Sequence, residues 1–374
     1  MVDSTRSCCC GGQASCESPS VSNVASDGPA PHWVIGRLPT PAGEVPRIGT
    51  SLVCADRWGG WKVRWDIGRM RYLVPPGLYA VGNPGEASPV LVTANYKLTF
   101  DLLRSQLTGR DLWIVVLDTQ GINVWCAAGK GTFGTDEVVR RVDAVGLVRV
   151  VAHRVLTLPQ LGAVGVCARE VARRTGFRVV FGPVRATDLP AFLDTGVKTP
   201  DMRRVRFSLR DRLTVVPVEM MQAAKHLLLV AACFLLLAGL GRDGFSLDRV
   251  VGDGLASAVA FLAGGFGSLL LGAALLPYLP GRAFSVKGLW LGLVPAAAWA
   301  VAANLDAPGM RDRLDAAAWL LILPALASFL VMNFTGATTF TSLSGVRREL
   351  RFAVPAQIAA GVGGMALWLV GRFV

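Results

Sequence analysis

The sequence is short of charge. Charged residues make up 17% of its 374 positions, against about 25% in an ordinary soluble domain, while hydrophobic residues reach 52% and the mean hydropathy is +0.46. That deficit excludes a chain that is soluble along its whole length, and the apolar content excludes disorder of the whole. No apolar run follows a positively charged start, so no secretory signal is visible and the first domain is expected in the cytoplasm. Acidic residues are outnumbered 26 to 38. No nucleic-acid recognition motif accompanies that basic excess, so nucleic acid is not an expected partner. Most of the excess, +9, lies before Leu227, where it suits an anionic membrane leaflet or an anionic ligand. Four of the eight cysteines (Cys8, Cys9, Cys10 and Cys16) crowd the first sixteen positions, where neighbours pair poorly, so reduced thiols are expected.

Composition shifts divide the chain. Residues 1–50 are rich in Ser, Pro, Gly and Ala and read as a disordered, Cys-containing tail. Residues 51–200 read as an α/β domain with a mostly parallel sheet, because short β-branched runs (Pro89–Thr93, Leu112–Leu117, Val148–Ala152, Arg178–Phe181) alternate with amphipathic stretches such as Thr135–Val145 and Ala163–Arg174. Thr135 with Asp136 and Glu137 marks a helix start, and Gly176 after Arg173 and Arg174 a stop. A basic linker, 201–219, leads to a five-helix transmembrane domain, 220–374. Its apolar stretches run over about Met220–Leu240, Leu255–Leu279, Gly288–Leu305, Ala316–Thr335 and Phe352–Gly371, each near the roughly 20 residues that cross a bilayer. The first is the weakest, being strictly apolar only from Leu227. The arginines and Lys225 before it outweigh Arg242 and Arg249 after it, which places the N-terminal domain in the cytoplasm and the C-terminus outside a multi-pass inner (cytoplasmic) membrane protein. The last four stretches lack ionisable residues in their interiors, which disfavours a transporter. Small-residue stripes (Gly264, Ser268, Gly272; Ala356, Ala360, Gly364) point to close packing in an anchor or docking platform.

The segment from Asp118 to Gly134 follows the apolar run Leu112–Leu117, where α/β sheets place ligand loops. Gly129-Lys130-Gly131-Thr132 fails as a phosphate-binding loop, since Val124 stands where the first glycine is required and Gly131 where Ser or Thr must follow the lysine. Asn123 instead reads as the N-cap of a short helix through Val124, Trp125, Cys126, Ala127 and Ala128, stopped by Gly129. Cys126 then sits in the first turn with Lys130 four residues on, an electropositive setting for a thiol able to ligate a soft or borderline metal. The alternative is that Cys126 merely fills space as a small buried hydrophobe.

Asn123-Val-Trp-Cys-Ala-Ala-Gly-Lys130 resembles the signature of the HgcA family, membrane-anchored corrinoid proteins of microbial mercury methylation. The resemblance extends to Thr93–Thr99, Pro159–Gly162 and Gly182–Ala186 and to the five following spans. The N-terminal domain is also similar to the corrinoid-binding domain of the corrinoid iron–sulfur protein of acetyl-CoA synthesis, which lacks the cysteine. The resemblance implies a Rossmann-like domain holding a cobalamin-type corrinoid base-off, with Cys126 as catalytic residue and lower axial ligand of cobalt. Thr93, Asn95, Asn123, Val124, Trp125, Ala127, Ala128, Gly129, Lys130 and Gln160 are the implied cofactor contacts. The implied activity is corrinoid-dependent methyl transfer to the substrate Hg(II), forming methylmercury. Its implied partners are an HgcB-type ferredoxin with two 4Fe–4S clusters for re-reduction and a folate-type methyl donor or its methyltransferase; no iron–sulfur cluster is expected in this chain. Two other functions stay open: a corrinoid methyl carrier of one-carbon metabolism with a different acceptor, and a membrane receptor or scaffold without cobalt. Thr93 and Asn95 also suit plain turn positions, Trp125 suits packing, and a lone His153 is more often structural. The N-terminal cysteines could pass on a soft metal, and Cys54, Cys167 and Cys233 read as small core residues.

Overall fold

The computed structural model describes residues 30–303, 309–335 and 343–374. Expectations for residues 1–29, including Cys8, Cys9, Cys10 and Cys16, lie outside the described residues. An N-terminal α/β domain with a mixed sheet is followed by five candidate membrane helices.

The domain's strands are β1 (Val34–Thr40), β2 (Gly43–Ile48), β3 (Gly77–Val81), β4 (Val90–Ala94), β5 (Leu112–Leu117), β6 (Val155–Leu158) and β7 (Arg178–Phe181). They lie in the order β1-β2-β3-β5-β4-β6-β7. β5, β4, β6 and β7 are mutually parallel, whereas β3 runs antiparallel to β5 and β1 antiparallel to β2. β4 and β5 are buried at every residue, as parallel strands covered on both faces must be. Their side chains alternate between two cores. Val90, Val92, Val115 and Leu117 join one face with α3 (Val124–Lys130), α4 (Thr135–Ala144) and α6 (Ala168–Thr175). Leu91, Ile114 and Val116 join the other with Phe100 of α2 (Lys97–Arg104) and Phe192 of α7 (Leu189–Thr195).

The remaining helices of this domain are α1 (Cys54–Arg64) and the single turn α5 (Leu147–Val150). That turn corrects the strand expected at Val148–Ala152: Gly146, with φ 59°, allows a helical turn there, and the strand begins at Val155. The helix expected from Ala163 starts at Ala168, after a tight passage through Gly162 and Gly165. The expected tail also ends early. Residues 34–48 form a hairpin whose β2 pairs with β3, and Trp33, Val45 and Ile48 are buried in the two cores. Composition hid this because the strands alternate polar and apolar residues between prolines.

The expected linker is helical beyond its middle. A helix runs from Leu209 to Ala238, capped by Ser208, whose hydroxyl accepts from the Asp211 N–H while the Asp211 carboxylate accepts from the Ser208 N–H. The candidate spans are Leu209–Ala238, Leu247–Leu275, Phe284–Val301, Met310–Thr335 and Gly345–Val370. Phe234 of the first packs 5.4 Å from Phe261, 5.5 Å from Trp319 and 4.9 Å from Trp368, ring centre to ring centre. The third helix lies close against the fourth, since a Cβ at Gly288 or Gly292 would fall 2.4 or 2.3 Å from a carbonyl oxygen of that helix. Gly264 and Gly272 likewise face Leu323 and Val331 of the fourth, and Gly364 faces Ile322. At one end of the bundle Arg372 is buried and pairs with Asp253 and Asp315 at 2.9 and 2.6 Å.

Candidate functional site

The chain passes from β4 through α2 to β5 on one side, then crosses back to β6 on the other. The carboxyl end of β4 is therefore a topological switch point, where open α/β sheets form ligand crevices. A cavity of about 320 Å³ opens there. Thr93 and Thr99, Asn123 to Trp125, Pro159 and Leu161, and Gly182 to Ala186 all line it. Four segments far apart in sequence thus meet at one crevice. A larger cavity, about 500 Å³, lies within the helical bundle beside Arg372 and Asp315 and contains none of them.

Asn123 caps α3 as its spacing predicts, accepting from the Cys126 N–H at 2.9 Å. The helix ends later than expected. Gly131, with φ 85°, rather than Gly129, terminates it, because only there does the chain turn into the left-handed region. Val124, Ala127 and Ala128 face the core, and Trp125, Cys126, Gly129 and Lys130 face outward. Cys126 is consequently no space-filler in the core: Ala127 and Ala128 take those positions while its thiol stands half-buried on the outer face. Cys126 does not itself line the cavity, whose wall takes Asn123, Val124 and Trp125 from this helix.

Asn95 has a role that sequence reasoning missed. Its side chain is buried and bonded at both ends: Oδ1 accepts from the Thr119 N–H (3.1 Å), the Thr119 hydroxyl (2.8 Å) and the Gly121 N–H (3.0 Å), and Nδ2 donates to Asp118 (3.2 Å). It pins the turn Thr119–Ile122 that precedes α3, closed by the Ile122 N–H donating to Thr119 O at 3.1 Å. Gln120 and Gly121 have φ 55° and 72°, the pair of left-handed residues of a type I′ turn. A Cβ at Gly121 would come within 2.3 Å of Leu73. Glu137 completes the brace from α4, accepting from the Asp118 N–H at 2.7 Å while paired with Arg140 and Arg141. The signal for Glu137 was its first-turn position facing the end of β5, not any motif.

Gln160 lies in the helical turn after β6 and accepts from Lys198 at 3.3 Å. Burial holds the Lys198 amine below the ordinary lysine value, and Arg203 adds to this. His153 is at the amino end of β6, away from the crevice, with Nε2 2.8 Å from Ser88 O and Nδ1 accepting from the Val155 N–H. Cys54, Cys167 and Cys233 are exposed rather than core residues. Cys54 opens α1, Cys167 caps α6, and Cys233 is on an outward face of the first long helix. Among the described residues no three His, Cys, Asp or Glu side chains form a cluster able to hold a metal ion.

Behind the site, Asp56 of α1 and Asp101 of α2 form a buried network with Lys97 and Arg104. Lys97 bonds the two carboxylates at 2.8 and 2.7 Å, and Arg104 does so at 2.7 and 2.8 Å. Burial alone would raise the Asp56 carboxyl, but bonds from Lys97, His32 and Arg104 outweigh it and hold the group well below the usual carboxylate range.

Residues 69–193 match the family model described as CO dehydrogenase/acetyl-CoA synthase delta subunit, and that stretch contains all four crevice segments. Among curated proteins the chain is similar to acetyl-CoA decarbonylase/synthase complex subunit gamma of Methanopyrus kandleri, 36% identical over 123 residues, or 32% of this chain and 26% of the relative. The same subunit of Methanocaldococcus jannaschii is 31% identical over 122 residues (32% and 25%), and that of Archaeoglobus fulgidus 32% over 126 residues (32% and 26%). The chain spans about a quarter of the length of these relatives.

Proposed function

We propose that the α/β domain binds a corrinoid and that the protein is a corrinoid-dependent methyltransferase whose acceptor is Hg(II). The observation that carries this reading is that each of the segments Thr93–Thr99, Asn123–Lys130, Pro159–Gly162 and Gly182–Ala186 contributes residues to the crevice at the end of β4, the second through Asn123, Val124 and Trp125. These are the segments that resemble the HgcA family, and they lie in the stretch similar to subunits of acetyl-CoA-forming complexes. The donor set fits the group. A thiol stands on the outer face of a helix beside a mostly apolar crevice large enough for part of a macrocycle's periphery, and thiolates suit borderline metals.

When bound, a corrinoid supplies a cobalt centre that carries a methyl group and gives it up to an electrophile. The chain's own residues then have distinct tasks. Cys126 would hold the metal through its thiolate, whose electron donation would favour giving up the methyl group to an electrophile. Asn123 and the turn held by Asn95 fix where that thiol stands. Thr93, Trp125 and Pro159 wall the crevice. Re-reduction falls to an HgcB-type ferredoxin and methyl supply to a folate-type donor. Five helices long and apolar enough to cross a bilayer support a membrane-bound protein, and the basic excess before the first of them favours the cytoplasmic side of the inner membrane for the α/β domain.

The similarity to subunits of acetyl-CoA decarbonylase/synthase complexes favours a second reading, a one-carbon methyl carrier with another acceptor. One experiment separates the two: visible spectra and methylmercury formation measured on anaerobically purified protein and on Cys126→Ala, with ferredoxin and reductant supplied. The proposal expects an altered cobalt spectrum and no methylmercury from the variant. A spectrum unchanged by the substitution refutes ligation by Cys126, and a cobalt-loaded wild type without Hg(II) methylation moves the carrier reading ahead.

A further inference from the structure

α1 buries Asp56, Gly60 and Val63 and turns the opposite face outward. That face is the reverse of what a solvent-facing helix carries. Trp58 and Trp61 are 57% and 46% exposed and stack at 4.8 Å, and Trp65 follows 6.0 Å from Trp61. Lys62 lies over the Trp58 ring at 5.8 Å. Positions 58, 61, 62 and 65 form one stripe at helical spacing, and exposed Ile67 and Met70 extend the apolar surface beyond it. An apolar patch of this kind, rimmed by charge, marks an interaction surface.

Its charge is one-sided. Between Cys54 and Arg71 there are five bases (Arg57, Lys62, Arg64, Arg69 and Arg71) and two acids. Asp56 is consumed by the buried network. Asp66 accepts from Gln222 of the first long helix at 3.4 Å. That contact sets the height of the stripe. Twenty residues, the length that crosses the hydrocarbon, begin at Met220 when counted back from Gly239, so Gln222 stands within about 3 Å of the hydrocarbon boundary nearest the α/β domain.

We infer that α1 is an interfacial anchor: Trp58, Trp61 and Trp65 insert at the headgroup level of the bilayer beside the first long helix, and Arg57, Lys62 and Arg64 engage anionic lipid headgroups. Tryptophan is the residue enriched at that depth, and a basic helix with an apolar face lies in the interface plane. The anchor connects with the site. Asp56 on its buried face is bonded to Lys97 and Arg104 of α2, the helix that follows β4 and the crevice.

The inference rests on reading the long helices as membrane-spanning, and the test keeps the two apart. Full-length protein is placed in nanodiscs of phosphatidylcholine with phosphatidylglycerol, with and without bromine on the lipid chains near the headgroup. Tryptophan emission is compared with that of a Trp58→Phe/Trp61→Phe/Trp65→Phe variant, so the difference reports the stripe. The expected result is loss of most of that difference signal to brominated lipid with little loss to aqueous acrylamide. The Arg57→Glu/Lys62→Glu variant is expected to lose about half of the lipid quenching in anionic discs. Trp290 and Trp299, exposed on the third long helix, are the control. Quenching in the variant that lacks the stripe tryptophans, without quenching of the difference signal, overturns the anchor alone; no quenching of either overturns the membrane reading. A stripe shielded from both quenchers is covered by protein, from a partner or a second copy, and also overturns the anchor. Hydroxyl-radical footprinting at Trp58 and Trp61 of the unaltered protein probes the same insertion without a substitution: strong protection is expected, and oxidation at the level of a free surface refutes insertion.

Discussion

Asn95→Ala tests whether the position of Cys126 is built by the turn before α3. The substitution removes one acceptor from two backbone N–H groups, Thr119 and Gly121, and one donor from Asp118. The Thr119 hydroxyl keeps a second partner, Ile122 O at 2.8 Å, so it adds little. Each buried donor left unpaired costs about 1–3 kcal/mol, and partial entry of water brings the pair to about 2–4 kcal/mol. That is a roughly 30- to 1,000-fold rise in local opening at about 1.4 kcal/mol per tenfold. β5 and α4 keep their core contacts, so the opening should be local. Hydrogen exchange read by mass spectrometry on the full-length protein should show faster exchange across residues 118–130 and little change across 112–117. Asn95→Asp keeps the acceptor but sets a carboxylate against Asp118, and should lie between the wild type and Ala. Unchanged protection of residues 118–130 in Asn95→Ala would refute the brace and leave α3 held by its apolar contacts alone.

Gly121→Ala should be destabilising by about 1–3 kcal/mol, because it puts an L-residue at φ 72° and a methyl within 2.3 Å of Leu73; a thermal melt unchanged from wild type would contradict this. Asp56→Asn leaves Lys97 and Arg104 buried with Asp101 as their remaining carboxylate, and should cost about 3–5 kcal/mol in denaturant unfolding. The pH dependence follows from the sign of the shift. Asp56 is held below its unfolded value near 4, so its contribution is complete above about pH 4 and is lost as the pH falls; the wild type should weaken on acidification and Asp56→Asn should show a flatter acid limb. Cys126→His should keep corrinoid yet lose most methylmercury formation, measured with corrinoid content on one preparation, because a neutral donor pushes less electron density onto the metal.

How much of this was legible in the sequence depends on how local the cause is. β4 and β5 announce themselves because strands covered on both faces are unbroken apolar runs. The Asn123 cap was readable because its partner, Cys126, lies three residues away. The hairpin β1–β2 was not, since its burial comes from pairing with β3, more than thirty residues on, and from a single face of each strand. The end of α3 was misplaced by two residues because Gly129 and Gly131 are equivalent in composition, and φ at Gly131 decides between them. Asn95 was singled out as a ligand contact, but its turn lies 24 residues away, a distance no spacing rule spans. Trp58, Trp61 and Trp65 recur at helical spacing, which in sequence reads as a face packed on the domain; only the structure shows that this face is turned outward.

The α/β domain is tied to the first long helix and the segment entering it at two separate points. On one wall, Arg185 bonds Asp211 in the first turn of the first long helix at 2.8 Å, and Val184 donates to Met202 O at 2.9 Å, so the rim at Gly182–Ala186 is fastened to the segment entering the bundle. Asp66 after α1 meets Gln222 about three helical turns further along the same helix. A flexible tether would need neither contact. Two contacts separated by about 16 Å of helix, at 1.5 Å per residue, resist rotation of the domain about that helix far better than one. The exposed pair Arg185–Asp211 is worth little as an isolated ion pair in water. Its value lies in register: together with the Asp66–Gln222 contact it fixes how the α/β domain is turned about the first long helix.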